Sequence, residues 1–204
     1  MVQWLGAVDA LLAERGDGVG DGTRRSIWHK THLPTWSEVR AARGLFARRH
    51  RSVDDRYVTS VRSLTRLPML SSHHHPYLRV GPVVAPMLLV DHALLYVGAP
   101  LGHELEGQVW SSSNGHVLRE AVRCFRTVWD AGRAVVAPGD EPPFTRRMVD
   151  IGFLLSDGAS DKETTRSLQV SGRTVSAEVA EIIHRLGARS RTHAIALVAA
   201  GGPY

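Results

Sequence analysis

The chain contains one cysteine, Cys124, among 204 residues. No internal disulfide can form, and such usage fits a reducing compartment. No apolar run approaches the roughly 18 residues that a membrane span needs. Met1 does not open a basic-then-apolar leader, so export is not expected and the protein reads as cytoplasmic. Lysine is scarce too: of 25 basic residues only Lys30 and Lys162 are lysine, the mark of an arginine-favouring, GC-rich coding sequence. Zinc-type ligand spacing is missing. The adjacent His73, His74 and His75 before Pro76 read as a loop, because sequence neighbours cannot readily converge on one ion. The glycine-rich residues 16–22 lack a following Lys-Ser/Thr pair and a preceding strand, so they read as a flexible connector, neither P-loop nor dinucleotide fingerprint. No cofactor and no metal are expected.

What is present describes a globular protein, 43% hydrophobic and 22% charged, with net charge +5. The charge is uneven. Residues 40–66 carry eight arginines against two acids, and residues 144–204 carry eight cations against six acids. The first stretch is either a surface for an anionic partner or the solvated face of two helices. Residues 4–14 read as an amphipathic helix. Thr35 with Glu38 forms a capping box for a helix through Val39, Ala42 and Phe46. Asp54 is expected to cap another, with Val58, Val61 and Leu64 along it. From residue 77 to residue 111 the pattern turns strand-like, with short apolar runs at 77–80, 87–90, 94–97 and 109–111 that read as buried strands. Asn114 then opens a helix with Leu118, Val122, Phe125 and Trp129 on one face. Residues 1–131 are therefore expected to form an α/β domain of sensor or dimerisation type, followed by a Pro/Gly linker over 132–143.

Residues 144–200 read as four short helices. Thr145 can cap the first, with Met148, Ile151, Leu154 and Leu155 at helical spacing. Ser160 and Glu163 make a capping box for the second. Ser171 caps a third, in which Val175, Val179, Ile182 and Leu186 share one face while Arg173, Ser176, Ala177, Ala180 and His184 share the other; Gly187 stops it. A fourth runs over about 192–200, with Ser190 as its cap. A two-faced helix after a short helix and a tight turn is the arrangement of a helix-turn-helix.

These residues resemble the LuxR-type helix-turn-helix module of bacterial transcriptional regulators, carried by Gly158, Ser160, Lys162, Glu163, Leu168, Ser171, Arg173, Thr174, Val175, Leu186, Gly187, Arg191, Thr192 and Ala194. The resemblance implies an all-α, four-helix DNA-binding domain over 144–204, with the helix after Ser171 as recognition helix and the last helix pairing two copies. DNA contact is then expected from Lys162, Ser171, Arg173, Thr174, Ser176, Ala177, Ala180 and His184. Ser176 replaces a frequent lysine, and Glu178 and Glu181 flank the groove face. With Arg173 as its main cation, the helix is expected to bind weakly alone.

A second resemblance covers about 77–130. Residues 84–91 with 96–99 look like a degenerate phospholipase D half-motif in which Val84, Pro86 and Asp91 stand at the histidine, lysine and aspartate positions. Without the histidine and lysine no covalent phosphodiesterase chemistry can run. No enzyme is expected, and Asp91 reads as a turn carboxylate. The expected partners are double-stranded DNA, a second copy of the chain, and a small-molecule or protein effector at the N-terminal domain. The alternative is a partner-dependent interaction module without strong DNA binding of its own.

Overall fold

The computed structural model describes residues 25–31, 53–73, 76–100, 102–137 and 139–200. The expected helices at 4–14 and from Thr35, the glycine-rich segment, His74, His75 and the arginines between 40 and 51 lie outside them. Of the described residues, those within 25–61 and 77–135 form one compact unit, and those within 62–76 and 136–200 form another.

The first unit is built on a seven-stranded mixed sheet. Its strands are β1 (Arg25–Lys30), β2 (Val53–Thr59), β3 (Leu78–Val80), β4 (Met87–Val90), β5 (Leu94–Gly98), β6 (Val109–Ser112) and β7 (Arg133–Ala134), in the order β6-β5-β4-β1-β2-β3-β7. β1, β2 and β3 are parallel; the remaining pairs are antiparallel. The β4 run Met-Leu-Leu-Val is apolar throughout because its first three residues are buried, whichever side of the sheet they face. One face is covered by the helix Gly115–Ala131, whose cap Asn114 accepts from the His116 and Val117 amides. Beneath it, Trp28, Val58, Met87, Leu89 and Leu95 pack with Leu118, Ala121 and Phe125. Phe125 is fully buried and stacks on Trp28 at 5.2 Å.

Several expectations are corrected here. Asp54 caps no helix: it lies in β2, and the helix begins only at Val61. The reason is tertiary, since β2 is sandwiched between β1 and β3 and its Tyr57, Val58 and Thr59 are buried. Arg56 is correspondingly no part of a solvated helix face. Its guanidinium lies 4.5 Å from the Trp28 ring and pairs with Asp54 at 3.4 Å. β6 is an edge strand, and its Trp110 is exposed, so it is not the buried strand that its apolar residues suggest. The linker read over 132–143 begins with β7, paired to β3.

Between β4 and β5 the chain reverses through Asp91 and His92, both left-handed, with φ of 52° and 53°. Two consecutive positive φ values are the signature of a type I′ turn, and Asp and His tolerate them better than most residues. Asp91 Oδ1 accepts the Ser26 amide at 2.9 Å, and its own amide donates to the Ser26 carbonyl, so it acts as the turn carboxylate expected of it.

The second unit is helical: α1 (Val61–Arg66, apart from Val61), α2 (Leu70–His73), and then, numbering the sheet helix Gly115–Ala131 as α3, α4 (Arg146–Ser156), α5 (Asp161–Leu168), α6 (Gly172–Arg185) and α7 (Arg191–Ala200). Residues 62–76 thus group with the C-terminal helices instead of the sheet. Leu67, Met69 and Leu70 are essentially fully buried. Gly152 of α4 accommodates Met69 so closely that a Cβ there would stand 2.7 Å from Met69 Sδ. His73, expected in a loop, ends α2 and meets the Phe153 ring edge-on at 5.1 Å.

Candidate nucleic-acid interface

The local sequence sets up two helices joined by three residues. Ser160 opens α5 through a reciprocal capping box, its amide donating to Glu163 Oε2 at 2.8 Å and its Oγ accepting the Glu163 amide at 3.3 Å. The Ser160 hydroxyl, donating to Glu163 Oε2 at 2.7 Å, and then the Ser160 amide hold the Glu163 carboxyl below its usual range. Gln169 ends α5 in the left-handed conformation, and after Val170 the Ser171 hydroxyl caps α6 by accepting the Thr174 amide at 3.1 Å. A left-handed residue followed two positions later by a cap reverses the chain without a longer loop.

α6 then divides into two faces. Val175, Val179 and Ile182 are buried against the unit, while Arg173, Ser176, Ala177, Ala180 and His184 are exposed. Their spacing places these five on one outward stripe that begins beside the exposed cap Ser171. Thr174 departs from the expectation, being half-buried with its hydroxyl 2.8 Å from that of Ser171. Lys162 is exposed on α5. Arg166, also exposed, lies one turn further along the same side of α5; the four-residue spacing from Lys162 is the signal that would have found it.

The acids flanking α6 are engaged internally. Glu178, only 12% exposed, accepts from Arg147 of α4, with Nε at 2.6 Å. Glu181 pairs with Arg185 at 2.5 Å, and that hydrogen bond keeps the Glu181 carboxyl below its usual range. Arg185 also donates to the Pro143 carbonyl, and Arg191 of α7 pairs with Asp161 of α5. Lys162 and Arg173 make no ion pair among the described residues. The stripe therefore presents a cation and small side chains, and the acids read from sequence as flanking it are held by arginines.

A short helix, a three-residue turn and a helix with one buried and one outward face form a helix-turn-helix, and the comparison with known families agrees. Residues 142–198 match the model described as bacterial regulatory proteins, luxR family. The C-terminal module is thus similar to the luxR-type helix-turn-helix of bacterial regulatory proteins. No curated protein matches the chain. The match spans all of α5 and α6. α7 is capped by the Ser190 hydroxyl, which accepts the His193 amide at 3.1 Å, and it buries Ala194 and Val198 while Ile195 and Leu197 stay half-buried. Among the described residues no helix is long and apolar enough to cross a membrane.

Proposed function

We propose that the protein is a cytoplasmic, sequence-specific transcription regulator that binds DNA as a homodimer, without catalytic activity of its own. The observation that carries this reading is the outward stripe Arg173, Ser176, Ala177, Ala180 and His184 on a helix whose other face is buried, in a module matched to the luxR family. α6 enters the major groove. Ser171, Arg173 and Thr174 at its start, with Lys162 on α5, hold phosphates, and the helix N-terminus adds its own partial positive charge. Ser176, Ala177 and Ala180 face base edges, where small side chains suit thymine methyls and water-bridged readout. The half-buried Ile195 and Leu197 of α7 are the natural surface for a second copy. Two recognition helices would then read half-sites about one helical turn apart.

A partner-dependent reading retains support from one observation: Arg173 is the single arginine or lysine on the outward stripe. The deciding experiment selects genomic fragments with the purified chain and then titrates the enriched site at several salt concentrations. A recurrent palindrome whose affinity falls steeply with salt is expected, and Arg173→Ala should lower affinity and reduce the salt slope by about one unit. If no fragment is enriched by the protein alone but one appears on adding a second regulator, the partner-dependent reading replaces this one. An Arg173→Ala variant with unchanged affinity and slope would remove Arg173 from the interface.

A further inference from the structure

The N-terminal unit carries a concave, cationic groove that the DNA-binding module does not explain. Helix α3 forms one wall with Leu118, Arg119, Val122, Arg123 and Arg126, and His92 of the β4–β5 turn closes it, around a volume of about 630 Å³. Its apolar part comes from Leu118 and Val122, which line it at the margin of the sheet core. The rim is basic. Arg123 is held by Glu120, whereas Arg119 and Arg126 have no ion-pair partner among the described residues; Asp130 is the one acid in the lining.

His92 sets this groove apart from a merely solvated arginine row. Its Nε2 is buried and has no hydrogen-bond partner among the described residues, and its ring lies T-shaped to that of Trp28 with centroids 4.2 Å apart. An unpaired buried polar atom costs about 1–3 kcal/mol, which a ligand oxygen reached by a small turn of the His92 ring would offset. The Arg126 guanidinium stands 5.5 Å from the same Trp28 ring, so imidazole and guanidinium converge on one spot at the edge of the buried aromatic cluster. Burial first, and then the Arg126 charge, push the His92 pKa down, which keeps the imidazole neutral and able to donate a single N–H near neutral pH.

We infer that this groove binds a small molecule carrying an oxyanion, carboxylate or phosphate, on an apolar body, with Arg126, Arg119 and the His92 imidazole on the oxyanion and Leu118 and Val122 under the apolar part. A duplex backbone is a poorer fit, because it presents a convex ridge of phosphates and has no apolar body to cover the floor. The inference concerns the N-terminal unit alone and stands or falls independently of DNA binding by the C-terminal module.

The test uses the full chain and two probes, benzoate and phenyl phosphate, followed by calorimetry and by tryptophan fluorescence, with benzyl alcohol as the uncharged control and inorganic phosphate as the anion without an apolar body. One or both probes should bind, more tightly than either control by tenfold or more, and the preferred probe distinguishes a carboxylate site from a phosphate site. Arg119→Gln, on the exposed rim, and Arg126→Gln should each weaken binding about tenfold while circular dichroism stays unchanged. His92→Phe, which keeps the ring and removes the nitrogen, should weaken it as well. Binding of neither probe, equal binding of benzyl alcohol, or affinity unchanged in the Arg119/Arg126 double variant would each overturn the assignment. So would loss of salt-dependent duplex binding as the sole effect of those substitutions.

Discussion

Asp55→Asn should change how the N-terminal unit responds to acid, because a buried histidine and a half-buried aspartate on neighbouring strands titrate in opposite senses. Burial lowers the His29 pKa from 6.5 to about 3. The unfolded chain therefore holds the extra proton between those values; His29 contributes full stability above pH 6.5 and loses it as pH falls toward 3. Burial, with the Asp54 charge second, raises the Asp55 pKa from 3.8 to about 6. Here the folded state holds the extra proton, so stability falls as pH rises from 3.8 to 6. Each slope has a ceiling of about 1.4 kcal/mol per pH unit, and between pH 4 and 6 they oppose one another. The wild-type protein should consequently show a shallow dependence in that window. In Asp55→Asn the His29 slope is unopposed, with His92, whose pKa burial also lowers, adding in the same sense. The variant should be about 1–2 kcal/mol more stable at pH 7, allowing for the partial exposure of Asp55, and should lose about 1 kcal/mol per unit below pH 6. Urea unfolding followed by tryptophan fluorescence reads this directly, since Trp28, Trp110 and Trp129 all lie in the sheet unit. Keeping the series above pH 4.5 avoids the titration of Glu163 and Glu181, whose carboxyls are held low. Parallel wild-type and variant curves between pH 4.5 and 6 would refute the raised Asp55 pKa.

Two further outcomes follow from packing. Phe125→Ala empties the space between Trp28 and Trp129, where the ring is fully buried, and should cost about 3–5 kcal/mol in the same fluorescence transition. A loss below 1 kcal/mol would mean that the helix is not anchored there. Gly152→Ala drives a methyl against the buried Met69 and should destabilise the helical unit by about 1–3 kcal/mol, read by thermal unfolding. Met69→Ala in the same chain should recover most of that loss, and non-recovery would place the strain elsewhere.

The helical module was legible because its information is local. Ser160 with Glu163, Thr145 and Ser171 as caps, and the spacing of Val175, Val179 and Ile182 are statements about neighbours within one or two turns, and each is found in the folded protein as read. Asn114 and the helix after it were readable for the same reason. The outward stripe was legible as a pattern, and the structure adds that Glu178 and Glu181 face arginines of the module itself. That pairing joins residues up to thirty-one positions apart and leaves no periodic trace.

The sequence alone determined where the capped helices after Asn114, Thr145, Ser160 and Ser171 begin, because capping and periodicity act through hydrogen bonds and side-chain spacing inside one element. The tertiary structure alone decided what depends on distant partners. β2 is a strand although Asp54, Asp55 and Arg56 break its apolar pattern, because β1 and β3 satisfy its backbone on both sides. Residues 62–76 join the helical unit because Met69 finds its place against Gly152. His92 and Arg126 meet at one groove because the sheet holds the turn beside α3. Long-range pairing trades chain entropy for burial, and no window of the sequence contains both sides of that exchange.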